Sequence, residues 1–352
     1  MKKAISVGVS IVVVALAIWY ITGSIKPGEW VLIAGDFTNL DVSFVMLALA
    51  ISMMSHITRA ERYRTILRPL HPHLSFMASF NAVMIGYAFN TILPRAGEVV
   101  RPVVFAKREG IPTEEAIGAI LIERILDVVS IMMALILVMT TSGDTLARIF
   151  AYYGSTSADS APIETQAILS NLSFALVGLL AFVGMLVFTR LGQVFSERVV
   201  GRLHKRIGDA LSRIITKIAD GLRVIKKPRL YIRLFIETVL VWATYCFVSF
   251  FIIKAMPYPS AAGVTIGQAS IILVVIGLGV TLAPTPGALG IYQIIAQASL
   301  VAVCGATPVQ GFVFGMISWI VNYGLVLLGG FICWLSETAD TRPSMRNSSS
   351  SM

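Results

Sequence analysis

Glu123-Arg124-x-x-Asp127 sets two carboxylates and a guanidinium inside an apolar run. Helical spacing puts Glu123 and Asp127 on one face and brings Arg124 within reach of Asp127. Upstream, Asn90-Thr91-Ile92-Leu93-Pro94-Arg95-Ala96-Gly97-Glu98-Val99-Val100-Arg101 inserts a helix breaker, a glycine and three charges between two hydrophobic stretches. Downstream, Pro284-Thr285-Pro286-Gly287-Ala288-Leu289-Gly290 breaks a second apolar stretch. Charged groups at bilayer depth persist where they pair, face water or act on a substrate. Non-helical backbone is tolerated there only inside protein or along a cavity. Together these groups have the chemistry to hold an anionic headgroup. No nucleophile and base pair, phosphate-cradling loop or HExxH pattern accompanies them, so neither catalytic residues, a metal nor a cofactor is expected.

The elements that must position these residues are transmembrane helices. The 352 residues are 56% hydrophobic and 13% charged, with a mean hydropathy of +0.82, which excludes an ordinary soluble domain. The net charge of +9 gathers at the ends of apolar spans, as the positive-inside rule requires, and no groove-reading motif points to nucleic acid. Cys246, Cys304 and Cys333 all lie in apolar runs and read as small hydrophobes.

Taken in order, Lys2 and Lys3 precede a first span, Ala4 to Ile21, and a second runs from Val42 to Thr58. The cluster Arg59, Arg62, Arg64 and Arg68 then marks the cytoplasmic side. If 74–93 crossed the membrane, Arg101, Lys107 and Arg108 would land on the opposite side. A re-entrant hairpin over 74–108, broken at Leu93-Pro94, removes the conflict, because proline cannot donate and pushes its predecessor out of helical geometry. A helix from Thr113 to about Thr140, an external loop and a span over 167–189 follow. Residues 190–230 carry eleven Lys or Arg against three acids with one apolar stripe, a segment suited to anionic inner-leaflet lipid. After a span over 231–253, the stretch 263–304 is either a second hairpin or two crossings. A last span, 309–335, leads to a Ser-rich tail.

The expectation is therefore an all-α polytopic membrane protein with about six full spans and two re-entrant hairpins, or else eight ordinary spans. It divides into a single membrane domain, 1–335, and a disordered cytoplasmic tail, 336–352. Both termini are cytoplasmic and the location is the cell membrane. Half-helices starting near Gly97 and Gly287 would turn unpaired amides and positive dipole ends toward the membrane interior, beside Arg95 and Arg101. Gly311 and Gly315 offer a close helix-packing face.

Asn90, Leu93-Pro94-Arg95, Gly97-Glu98 and Arg101, then Glu123-Arg124-x-x-Asp127, then Pro286-Gly287-x-x-Gly290, resemble in this order the flippase-like transmembrane domain of lysylphosphatidylglycerol synthases and its stand-alone relatives. The resemblance covers 42–335. It implies a lipid translocase, with the synthase activity belonging to a separate soluble domain. The residues expected to bind the substrate are Asn90, Arg95, Glu98, Arg101, Glu123, Arg124, Asp127, Pro286, Gly287 and Gly290, with Glu98, Glu123 and Asp127 either orienting the arginines or binding the cationic part of a zwitterionic headgroup. Ala288 and Gln293 stand where many relatives carry a glycine and an acid, which puts a proton-coupled role for that acid in doubt. The expected partner is a membrane phospholipid or a lipid-linked headgroup, and a homo-oligomer is compatible with the sequence. The competing expectations are a membrane-embedded lipid-modifying transferase, or a scaffold for a partner glycosyltransferase or synthase.

Overall fold

The structure is a computed structural model that describes residues 28–154, 228–282 and 285–340, with the isolated residues 23 and 26. The first span, the 167–189 span, the basic segment up to Lys227 and the tail from 341 lie outside the described residues. Every regular element among the described residues is helical. In chain order these are α1 (Glu29–Thr38), α2 (Val42–Leu67), α3 (Phe76–Ile92), α4 (Gly97–Glu109), α5 (Thr113–Gly154), α6 (Pro228–Lys254), α7 (Pro259–Ala262), α8 (Ile266–Leu282), α9 (Ile291–Cys304), α10 (Pro308–Trp319) and α11 (Leu325–Asp340). A 3-10 turn, Pro286–Ala288, separates α8 from α9, and a π-helical turn, Ile320–Gly324, joins α10 to α11. Among the described residues four stretches, Val42–Leu67, Arg229–Lys254, Pro286–Cys304 and Pro308–Ala339, are long and apolar enough to cross a bilayer. The chain is a multi-pass membrane protein.

Three boundaries differ from the sequence expectation. Helix α2 continues past Thr58 to Leu67, so Arg59 and Arg62 lie inside the bundle, 6% and 0% exposed, rather than at its edge. Helix α5 passes its expected end at Thr140, through non-helical backbone at Ser142, and reaches Gly154. Helix α11 runs to Asp340, so the first residues of the expected tail are helical.

The pair α3 and α4 folds back on itself. The Ser75 amide at the start of α3 donates to Glu109 Oε2 at the end of α4, 3.1 Å away, so both open ends lie together. At 17 and 13 residues the two arms rise only about 25 and 20 Å, short of a hydrocarbon core of about 30 Å. The tip forms as proline chemistry requires: Leu93 is extended, with φ −129° and ψ 118°, and Arg95 turns left-handed with φ 65°. A Cβ on Gly97 would come 1.8 Å from the Gly86 carbonyl oxygen. Only glycine lets the arms meet this closely.

Helices α8 and α9 repeat the arrangement from the opposite end. Gln268, near the start of α8, donates to the carbonyl of Val303 near the end of α9, 3.4 Å away. The tip here is left-handed at Gly287, Ala288 and Gly290, with φ of 56°, 53° and 82°. Each second arm ends on a left-handed glycine, Gly110 with φ 67° and Gly305 with φ 66°, and another helix follows, α5 in the first case and α10 in the second. One long helix, α2 or α6, precedes each hairpin, and these two pack antiparallel: Arg59 meets Tyr245, while the Asp41 amide at one end of α2 reaches the Ala255 carbonyl beyond α6. The described chain is thus two halves of like order and opposite direction.

Helices α10 and α11 bind the halves together. A Cβ on Gly311 would lie 2.7 Å from the Gln297 carbonyl oxygen, and one on Gly330 would lie 2.5 Å from Ala88 Cβ. The α10 glycines therefore seat on α9, and the α11 glycines seat on α3.

Gly97→Ala is expected to lower the stability of the detergent-purified protein by about 1–3 kcal/mol through overpacking. Gly118→Ala, where nothing lies within 4 Å, should leave it unchanged or raise it by up to about 1 kcal/mol through helix propensity. Ala288→Gly should stabilise by about 1 kcal/mol, because glycine carries no Cβ penalty at positive φ. Thermal unfolding followed by monodispersity checks all three.

Candidate functional site

The charges that the sequence spreads over three segments converge. Arg62 on α2, fully buried, donates through Nη2 to Asp127 Oδ1 on α5 at 2.8 Å, and its Nε lies 3.7 Å from Glu123 Oε1. Arg101 on α4 donates to Glu123 Oε2 at 2.7 Å and stacks over the Tyr63 ring, 4.1 Å from its centre. Arg59 reaches Asp127 Oδ2 at 3.2 Å and the Tyr245 hydroxyl on α6 at 2.5 Å. Arg124 stands between Asp127 and Glu98, 3.9 and 3.7 Å away. Local sequence makes this possible. Gly86 leaves room for Arg101, whose Cβ would lie 2.7 Å from a Cβ there, and a separation of one helical turn lines up Glu123 and Asp127 along α5.

Beside this network lies a cavity of about 610 Å³. Arg59, Arg95, Glu98, Arg124 and Asp127 line its charged side. Tyr87, Trp242, Tyr245, Tyr292 and Tyr323 form an aromatic wall. Along α5 the lining then changes from Arg124 and Asp127 to Val128 and Ile131, and α8 faces it with Leu273, Ile276, Gly277 and Val280. The cavity sits where the two hairpin tips meet. A Cβ on Gly287 would lie 3.2 Å from the Thr91 carbonyl oxygen, and Trp319 Nε1 donates to the Gly287 carbonyl at 2.6 Å.

The structure sorts the expected site residues into two groups. Asn90, Arg95, Glu98, Arg124, Asp127 and Gly287 line the cavity. Arg101 and Glu123 do not: they are 4% and 1% exposed and neutralise each other behind it. Pro286 and Gly290 shape the second tip without lining the cavity. The expectation of open helix amides is also corrected. The Gly97 amide donates to Asn90 Oδ1 at 2.7 Å, and the amides of Glu98 and Val99 donate to the carbonyls of Arg95 and Ala96. At the second tip the Gly290 amide donates to Gln293 Oε1 at 2.7 Å. Positive charge in the cavity therefore comes from guanidinium groups. Gln293, 2% exposed, uses its carbonyl to cap its own helix, and the φ of 53° at Ala288 explains why glycine suits that position.

Arg59, Trp242, Tyr245 and Tyr323 were not among the expected site residues. Arg59 and Arg62 are three apart and share a helical face, whereas Arg64 and Arg68 share another. That spacing was the available signal within the arginine cluster. Among the described residues no three His, Cys, Asp or Glu side chains are grouped to hold a metal ion.

Removing the Glu123 carboxylate leaves Arg62 and Arg101 buried without it. Glu123→Ala is expected to cost about 3–5 kcal/mol, whereas Glu98→Gln, at an exposed position, should stay within about 0.5 kcal/mol of the parent. Chemical or thermal unfolding in detergent compares them.

Two relatives align over nearly the whole chain. Glycosyltransferase AglD of Haloferax volcanii is 24% identical over 346 residues, 95% of this chain and 54% of that protein. UPF0104 membrane protein PH1989 of Pyrococcus horikoshii is 21% identical over 341 residues, 94% of this chain and 96% of that protein. The chain thus spans about half the length of the first relative and nearly all of the second. Residues 5–330 match the family described as the lysylphosphatidylglycerol synthase TM region, and the chain belongs to that family.

Proposed function

We propose that the chain is a lipid translocase, not an enzyme, that moves a phospholipid or lipid-linked headgroup between leaflets through the cavity at the hairpin tips. One observation carries the reading: the cavity is amphiphilic. Its charged side suits a headgroup phosphate, and its apolar side, between α5 and α8, suits hydrocarbon. Interrupted helices at matching positions of two inverted halves are the arrangement in which transporters hold their substrates. Asn90, Arg95, Glu98, Arg124, Asp127 and Gly287, joined by Arg59, contact the substrate in this reading, while Arg101 and Glu123 hold Arg62 and Asp127 in place.

The disposition that follows has two re-entrant hairpins, α3–α4 and α8–α9, entering from opposite faces of the cell membrane among about six full spans. The termini and the basic segment 190–230 then lie on the cytoplasmic side, with the segment against anionic lipid. The name of the Haloferax relative favours a second reading, in which the chain is the membrane part that serves a glycosyltransferase.

Purified protein reconstituted into vesicles with a fluorescent phosphatidylglycerol in one leaflet tests the first reading. The parent should move the lipid, and Arg95→Ala, at an exposed position, and Arg124→Ala, at a partly exposed one, should slow it by about tenfold or more, the factor that 1.4 kcal/mol sets. Gly277→Phe, which fills the narrow point against Ile131, should slow it as well. Parent vesicles that behave like empty ones would reject translocation and leave the second reading.

A further inference from the structure

Every carboxylate facing the cavity lies within reach of a guanidinium. Asp127 accepts from Arg59 and Arg62 and has Arg124 at 3.9 Å, and Glu98 has Arg124 at 3.7 Å. With Arg101 and Glu123 behind them, and with Arg95 at the tip lacking an ion-pair partner among the described residues, the arginines of the site exceed its carboxylates. An ammonium group entering here would meet an excess of positive charge, with Glu98 the one carboxylate of the lining that accepts no side-chain hydrogen bond among the described residues. A phosphate would meet the opposite.

The rest of the wall is neutral but rich in hydrogen-bonding groups. Ser52, Ser55, Asn90, Thr91, Ser249 and Asn322 line the cavity together with the aromatic wall. Trp242 Nε1, the Tyr87 hydroxyl and His56 Nδ1 are buried without a hydrogen-bond partner, though polar atoms so placed are nearly always paired. Flat rings beside mixed donors and acceptors are the surface that a hydroxylated ring or chain uses, through its C–H faces and its hydroxyls.

We infer that the site selects a lipid whose phosphate carries a polyhydroxylated group, a polyol or a sugar, and rejects headgroups that end in an ammonium. This rests on the lipid-handling reading above and adds the headgroup class. The same chemistry occurs in glycerol- or inositol-bearing phospholipids and in sugars linked by phosphate to an isoprenoid, so both belong in the test.

The experiment has a binding arm and a transport arm. Detergent-purified parent protein is titrated calorimetrically with short-chain phosphatidylglycerol, phosphatidylinositol, a short isoprenyl-phosphate-linked hexose, phosphatidylethanolamine and lysylphosphatidylglycerol. Labelled long-chain forms of the same lipids are followed in vesicles. At least one hydroxylated class should bind about tenfold or more tightly than both amine-bearing lipids, a factor that corresponds to 1.4 kcal/mol. Whether that is the glycerophospholipid or the isoprenyl class identifies the source. Amine-bearing lipids that bind as well as the hydroxylated ones overturn the inference even if all are transported. A preference in binding without transport upholds the inference and removes the translocase reading.

Two variants read the mechanism as a ratio. Arg124→Gln, which releases Glu98, should raise amine-lipid binding relative to phosphatidylglycerol. Trp242→Leu should weaken the hydroxylated lipids more than it weakens phosphatidate, which has a bare phosphate. Ratios that stay at the parent value in variants that purify as monodisperse protein count against the inference.

Discussion

Asp127 is the carboxylate on which the charged interior depends. It accepts from two arginines of α2, at 2.8 and 3.2 Å, and it lies where the dry part of the network meets the cavity. Through Arg62 it is tied to Glu123, through Glu123 to Arg101 on α4, and through Arg59 to Tyr245 on α6. One side chain thus registers α2, α4, α5 and α6 against one another. Arginines buried in an apolar bundle persist only with such compensation, because the cost of drying a guanidinium is met by paired carboxylates and aromatic faces. Arg59 has both: its guanidinium lies 5.5 Å from the Tyr87 ring centre and 5.2 Å from that of Tyr245.

The network also separates two kinds of charge that look alike in a bundle. Arg101 and Glu123 pair in a dry layer, so their contribution is to shape and to the orientation of Arg62. Arg95 and Glu98 are exposed at the first tip, and Arg124 is partly exposed beside them, where they can meet something other than protein. The division follows from the hairpin geometry. The close contact of Gly97 with Gly86 draws α4 against α3 and carries Arg101 inward, while the left-handed turn at Arg95 keeps that side chain at the tip.

How much of this was legible depends on how local each signal is. Pro94 with Gly97, and Pro286 with Gly287, break apolar runs wherever they occur, so both tips could be read from composition alone. Glu123, Arg124 and Asp127 stand out for the same reason. Arg59 and Arg62 did not, because topology and function call for the same residue type there: a basic cluster after an apolar run already satisfies the positive-inside rule. The aromatic wall was hidden because Tyr and Trp are ordinary residues in apolar helices, and only the fold gathers Tyr87, Tyr245 and Tyr323. The capping by Asn90 and Gln293 was equally out of reach, since a carboxamide beside a break has the same composition whether it faces a ligand or its own backbone.

The two halves are held at fixed spacing by a single helical strut. Gly311 and Gly315 bring α10 against α9, and Gly329 and Gly330 bring α11 against α3, with Gly311 and Gly330 each leaving no room for a side chain. Between the two seats lies the π-helical turn Ile320–Gly324, level with the tips, where Trp319 donates to the Gly287 carbonyl and stacks on Tyr323. A π turn is a place where the hydrogen-bond ladder of a helix is already interrupted. The turn thus sits between the helix seated on the second hairpin and the helix seated on the first. Asn322 and Tyr323 belong to this turn and line the cavity, so the segment that joins the two seats is also part of the site wall.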